Sequence, residues 1–150
     1  MGVFDFFVQE LAIDLGTANT LVIQNDQVVV EQPSIIAVNR MTGELVAVGH
    51  EAMMMHGKTH EDIKTIRPLQ DGVIADFNAA EQMLRSMISL VNDGKQYFTP
   101  HLRMVICIPS GITEVEKRAV KDSAERAGSK EVKLIHEPMA AAIGIGIDVE

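Results

Sequence analysis

The sequence holds one cysteine, Cys107, no long basic run and no apolar stretch near the length of a membrane span. A lone cysteine forms no intramolecular disulfide. Set in an apolar run, Cys107 reads as a small buried hydrophobe, and a reducing compartment is expected. Basic residues are also the minority, 13 against 21 acidic for a net charge of −8, which argues against nucleic acid as a main partner. Residues 1–8 lack the basic start and the length of a signal peptide. Phe6 stands where a myristoylation signal wants Ser or Thr, although Gly2 follows Met1. What remains is a 150-residue chain, 47% apolar and 23% charged, suited to one soluble domain with its own core.

The most informative stretch is 11–23, LAIDLGTANTLVI: an apolar strand, a turn of small polar residues and a second apolar strand. Asp14 stands where the first strand runs out. A carboxylate in an apolar strand is costly to bury without a partner, and a divalent cation would supply one. Gly16 lets backbone approach a ligand closely, while Thr17, Asn19 and the local N–H groups can donate to phosphate oxygens. An ordinary hairpin, with Asp and Asn stabilising the turn, explains the same residues.

Two more short strands follow, and the three form an antiparallel meander. Residues 35–38 and 45–48 flank MTGE as a further hairpin. Between Gly49 and Pro68 lie three consecutive methionines (Met53, Met54, Met55) and three histidines (His50, His56, His60), with Glu51, Glu61 and Asp62 facing solvent. That histidine spacing suits surface residues better than a metal site, and the methionines suit adaptable packing. Asp71-Gly72 marks a turn and Asp76 can cap a helix whose stripe is Phe77, Ala80, Met83, Leu84, Met87, Ile88 and Val91. The run 104–108 reads as a parallel strand covered on both faces. Thr113 and Glu116 spell a capping box, opening a helix that buries Val115, Ala119, Ala124 and Ala127 and ends at Gly128. A last strand, 132–135, leads through Glu137-Pro138 into a small-residue helix. The order predicts an α/β layer with a mixed sheet.

Glu137 sits at a strand-to-helix junction as Asp14 sits at a strand end. In open α/β sheets ligands collect beyond the carboxyl ends of strands, so both carboxylates can face one cleft. One would hold Mg²⁺ through its waters and the other orient an attacking water, the services phosphoryl transfer needs. A plain interaction of Glu137 with the helix dipole accounts for it equally well.

The stretch DLGTANT resembles the first phosphate motif of the actin, Hsp70 and sugar-kinase ATPases, and in detail that of the MreB-type bacterial actins. VICIPSG at 105–111 with EKR at 116–118 is similar to the family's first connecting motif. EPMAAA at 137–142 is similar to the start of the helix that carries its catalytic group, and RPLQDGVIADF at 67–77 resembles MreB rather than Hsp70. The resemblance implies a ribonuclease H-like, actin-type ATPase lobe over 11–33 and 75–150. It also implies a small inserted subdomain over 34–74 and an apolar N-terminal segment over 1–10. It assigns Asp14 to Mg²⁺ and catalysis, Gly16, Thr17, Ala18 and Asn19 to the phosphates of ATP, and Glu137 to the hydrolytic water. The family's second phosphate loop and its adenosine motif lie beyond Glu150, so the chain is expected to be the N-terminal part of such a protein and to hold nucleotide poorly by itself.

For the intact protein the resemblance implies ATP-dependent filaments of the protein itself on the inner face of the cytoplasmic membrane. Cell-wall synthesis and shape-determining membrane proteins would be its partners. Phe4, Phe6 and Phe7 near the N-terminus, and Tyr97 and Phe98 in a loop, are the candidate membrane contacts. An Hsp70-like chaperone fragment, a small ribonuclease H-like nuclease and a non-catalytic interaction module are the alternatives; the nuclease lacks the basic surface its substrate needs.

Overall fold

A computed structural model describes residues 8–58, 61–91 and 101–147. The meander forms as expected: β1 (Val8–Leu15), β2 (Asn19–Gln24) and β3 (Gln27–Pro33) pair antiparallel in sequence order. Asn25 and Asp26 link β2 to β3 with φ of 51° and 60°, the left-handed pair that matches the twist of the adjoining strands.

The chain then leaves the main sheet. β4 (Ile36–Asn39), β5 (Leu45–Val48), the short helix α1 (His50–Met55) and β6 (Ile63–Ile66) build a second antiparallel sheet in the order β5-β4-β6. Ile35, Ala37, Ala47 and Ala52 are buried together there. A two-stranded hairpin follows, β7 (Leu69–Gln70) and β8 (Val73–Ile74), turning through Asp71 and Gly72.

The return is α2 (Phe77–Val91), β9 (His101–Ile108), α3 (Glu114–Arg126), β10 (Glu131–His136) and α4 (Glu137–Gly144). β9 and β10 join parallel to β1, and the main sheet runs β10-β9-β1-β2-β3 with β1 at its centre. Local chemistry sets the helix ends: Asp76 accepts from the Ala79 N–H at 2.9 Å, and Thr113 and Glu116 exchange both bonds of the capping box.

Burial fixes the register. Leu11, Ile13 and Leu15 of β1 and Leu102, Met104, Ile106 and Ile108 of β9 are buried on one face, against Met83, Leu84, Met87, Val120 and Ala124 of α2 and α3. Each large apolar side chain contributes about 1.5–3 kcal/mol by burial. A one-residue slip of β1 would expose three of them and drive Asp14 into the core. That forfeits roughly 5–9 kcal/mol, comparable with the net stability of a whole domain. Asp14 is held on the other face by its neighbours' hydrophobicity.

Three expectations are corrected. Among the described residues β9 is covered on one face: its burial alternates and Val105 is 39% exposed, because α2 and α3 pack on the same side. Phe77 is 41% exposed, as the first residue of α2 it precedes the part of the helix that reaches the core, and Ala79 is buried instead. Val115 is 75% exposed while Val120 is buried; at about 100° per residue the two lie roughly 140° apart around α3, so one stripe cannot hold both.

Candidate functional site

β1, β9 and β10 run parallel, so their carboxyl ends share one rim of the sheet. Near that rim Asp14 lies opposite Cys107, and Cys107 opposite Ile135, a row of side chains on the face away from the helical core. Glu137 follows β10 as the first residue of α4. Burial pushes the Cys107 thiol above the ordinary cysteine range, and the charges of Asp14 and then Glu137 push it further in the same direction. Asp14 is half-buried and Glu137 exposed, so Asp14 sits at an accessible rim rather than sealed inside, and its desolvation costs less than its apolar flanks suggest. Among the described residues neither acid forms an ion pair with Lys, Arg or His.

The turn after β1 lies at the same rim, with Thr17, Ala18 and Asn19 exposed. It is held from behind by Ser34. The Ser34 hydroxyl donates to the Gly16 carbonyl at 2.6 Å, and the Ser34 N–H donates to the Ala18 carbonyl at 2.8 Å. Thr20 Oγ1 lies 2.9 Å from Ser34 Oγ, both residues fully buried. On the outer side the Gly72 N–H donates to Thr17 Oγ1 at 3.0 Å, which leaves the threonine proton available to a ligand. Gly72 packs against Pro109, just past β9, and the Pro109 carbonyl lies 3.4 Å from His136 Nδ1. The β1–β2 turn, the β7–β8 hairpin and the ends of β9 and β10 thus meet at one rim.

Gly16 is also required by the turn itself. A Cβ there would collide with the Asn19 carbonyl oxygen, so the constraint comes from the turn folding on itself before any ligand approaches. Sequence reasoning missed Ser34 and the contact made by Gly72. The available signal for Ser34 was a hydroxyl residue followed by the apolar run at 35–38. Phe4, Phe6, Phe7, Tyr97 and Phe98 lie outside the described residues, as does His60. His56 Nδ1 lies 2.7 Å from the Thr65 hydroxyl, and among the described residues no cluster of three or more His, Cys, Asp or Glu side chains could hold a metal ion. No helix there is long and apolar enough to cross a membrane.

With this geometry in hand, residues 8–150 match the family model described as MreB/Mbl protein. The chain belongs to the MreB/Mbl family. It is 45% identical over 148 residues to the cell shape-determining protein MreB of Escherichia coli (strain K12), covering 95% of this chain and 42% of that protein. It is 44% identical over 144 residues to the cell shape-determining protein Mbl of Bacillus subtilis (strain 168), with 95% and 43% covered. Among solved structures, MreB5 of Spiroplasma citri bound to ADP superposes with a TM-score of 0.79 at 39% identity, covering 93% of this chain and 41% of that one. The same protein bound to AMPPNP gives 0.77 at 38%, covering 93% and 42%. The fold is the actin-type lobe that the resemblance implied. This MreB/Mbl chain spans about two-fifths of the length of the curated relatives it matches.

The crossing of charges on Cys107 is directly measurable. Alkylation by iodoacetamide follows the thiolate, so its rate against pH reports the thiol's titration. Asp14→Asn removes a charge that opposes the thiolate and is expected to move the midpoint to lower pH, with faster alkylation at pH 8. Glu137→Gln is expected to move it the same way by less. Burial, the largest cause, persists in both variants, so the midpoint stays above that of a free thiol. A profile unmoved by either change would separate the two carboxylates from Cys107.

Proposed function

We propose that this chain is the phosphate- and metal-facing part of an ATP-dependent, self-assembling cell-shape protein. One observation supports the reading: the parallel register sets Asp14 opposite Cys107 near the carboxyl ends of β1 and β9, Glu137 opens α4 directly after β10, and Thr17, Ala18 and Asn19 are exposed in the turn after β1. Nucleotide-bound relatives at 38–39% identity support it.

The residues present fit Mg²⁺ and a phosphate chain. Magnesium keeps several waters and takes one or two carboxylates plus substrate phosphates, so it needs no cage of three protein ligands. Asp14, half-buried and without a cationic partner among the described residues, would hold it through water. The Thr17 hydroxyl, the Asn19 amide and the N–H groups of residues 16–19 would donate to phosphate oxygens. When bound, the metal neutralises phosphate charge. Glu137, exposed at the start of α4, would orient a water and accept its proton.

Residues 34–74 form the small subdomain of this reading, with buried Ile35, Ala37, Ala47 and Ala52 as its own packing. Filament formation by copies of the chain, attachment to the inner face of the cytoplasmic membrane, and partnership with cell-wall synthesis and shape-determining membrane proteins belong to the same proposal. The cell-shape role of the named relatives supports it. Phe4, Phe6, Phe7, Tyr97 and Phe98 are the proposed membrane contacts.

Two experiments test these statements. Titration of the ¹⁵N-labelled chain with Mg·ADP is expected to move the amide signals of residues 14–19 and of Glu137, Met139 and Ala140 first, and Asp14→Asn to remove the dependence on Mg²⁺. Shifts confined to other parts of the chain would reject the site. In sedimentation with anionic vesicles the chain is expected to bind weakly and Phe98→Asp to bind less; equal sedimentation of the two would reject that loop as a membrane contact.

A further inference from the structure

We infer that Ser34 is a positioning residue for the phosphate turn and that Thr20 acts on the turn only through it. The inference rests on the nucleotide reading above for its functional meaning, and on buried hydrogen bonds for its geometry.

A serine hydroxyl has one proton. Ser34 gives it to the Gly16 carbonyl at 2.6 Å, so in the 2.9 Å contact between Ser34 and Thr20 the proton comes from Thr20. The relay runs Thr20 to Ser34 to Gly16, with both side chains at 0% exposure and closed to competing water. The Ser34 N–H adds a bond to the Ala18 carbonyl at 2.8 Å. One residue thereby takes the carbonyls on both sides of Thr17.

Carbonyl oxygens aimed at a phosphate would repel it. A trans peptide is planar, so turning a carbonyl toward Ser34 turns the N–H of the next residue the other way. The Gly16 and Ala18 bonds therefore direct the Thr17 and Asn19 N–H groups away from the buried hydroxyl. Such successive, outward N–H groups are what an anion requires. Ser34 stands at the end of β3, 18 residues from Gly16, and belongs neither to the turn nor to the apolar strands around it. Its cost of removal falls on preorganisation, because the turn would still be present but free to rotate its peptides.

The test uses Ser34→Ala, Thr20→Val, which keeps the shape of threonine without its hydroxyl, and Thr20→Ser, which keeps the hydroxyl. Two readouts are taken on the labelled chain: Mg·ADP affinity from amide shifts, and backbone order parameters of residues 16–19 without nucleotide. Ser34→Ala is expected to weaken Mg·ADP about tenfold, the scale of one buried hydrogen bond. It should also lower the order parameters of the turn from about 0.85 toward 0.6, while β9 keeps its values. Thr20→Val is expected to weaken binding about threefold on the same scale, to add nothing in the Ser34→Ala background, and Thr20→Ser to restore wild-type behaviour.

Unchanged turn order and affinity in Ser34→Ala would overturn the inference, as would additive losses in the double variant. Loss of order spread through β9 would make Ser34 merely structural and overturn it too. If Ser34→Ala does not fold, the Thr20→Val and Thr20→Ser pair decides by the same readouts. A wild-type chain without nucleotide shifts at the turn would sink the nucleotide reading instead, and the order parameters would still decide the clamp.

Discussion

The parallel pairing of β1 with β9 is the constraint on which the rest depends. It sets Leu11, Ile13 and Leu15 into the core beneath α2 and α3, and the alternation of a strand then leaves Asp14 no other direction than the open face. The same register brings Cys107 beside Asp14, and the second parallel pairing brings β10 to the same rim, where α4 starts at Glu137. Hydrophobic burial, which has no direction of its own, thus leaves Asp14 on the open face, at the rim where α4 begins. The proposed chemistry is a consequence of which face is dry.

The turn at this rim is held at its back and its front by residues from outside the meander's own turn. Ser34, at the point where the chain leaves the main sheet, fixes the carbonyls of Gly16 and Ala18. Gly72, where the chain returns, bonds the Thr17 hydroxyl. The two crossing points of the segment between β3 and α2 therefore both touch the same turn, and Gly72 also packs on Pro109 at the end of β9. A rigid scaffold carrying a short polar loop is the usual way a fold presents donors to a ligand, and here the loop is stiffened by buried hydroxyls rather than by its own sequence alone.

Much of this was legible in the residues, and the reason is locality. The Asp76 cap, the Thr113–Glu116 capping box, the Asp71-Gly72 turn and the strand-strand-strand then helix-strand order follow from chemistry within a few residues, and all are present. The actin-type lobe followed from four motifs in order. Details that depend on where a helix meets the core and which way it rolls were less accessible: Phe77 has the spacing of the α2 stripe yet sits before the part of the helix that reaches the core, and Val115 lies outside the buried arc of α3. The apolar run of β9 suggested two covered faces because composition cannot say how many helices pack on each side. Ser34 could be noticed as a hydroxyl residue before the apolar run at 35–38, but its contact with Gly16, 18 residues away, is non-local and not written in the letters around it. The steric need for Gly16 inside its own turn was not legible, since a glycine that accommodates its own turn and one that accommodates a ligand look alike in a string of letters.

One measurement bears most directly on the shared rim. With Mn²⁺ replacing Mg²⁺ in the presence of ADP, paramagnetic broadening acts on nuclei near the bound ion irrespective of what moves on binding. Selective loss of the amide signals of Asp14, Cys107 and Glu137, with the Asn25–Asp26 turn at the far end of β2 left sharp, is the predicted result. Broadening around Asn25 and Asp26 that spares those three residues would contradict the account.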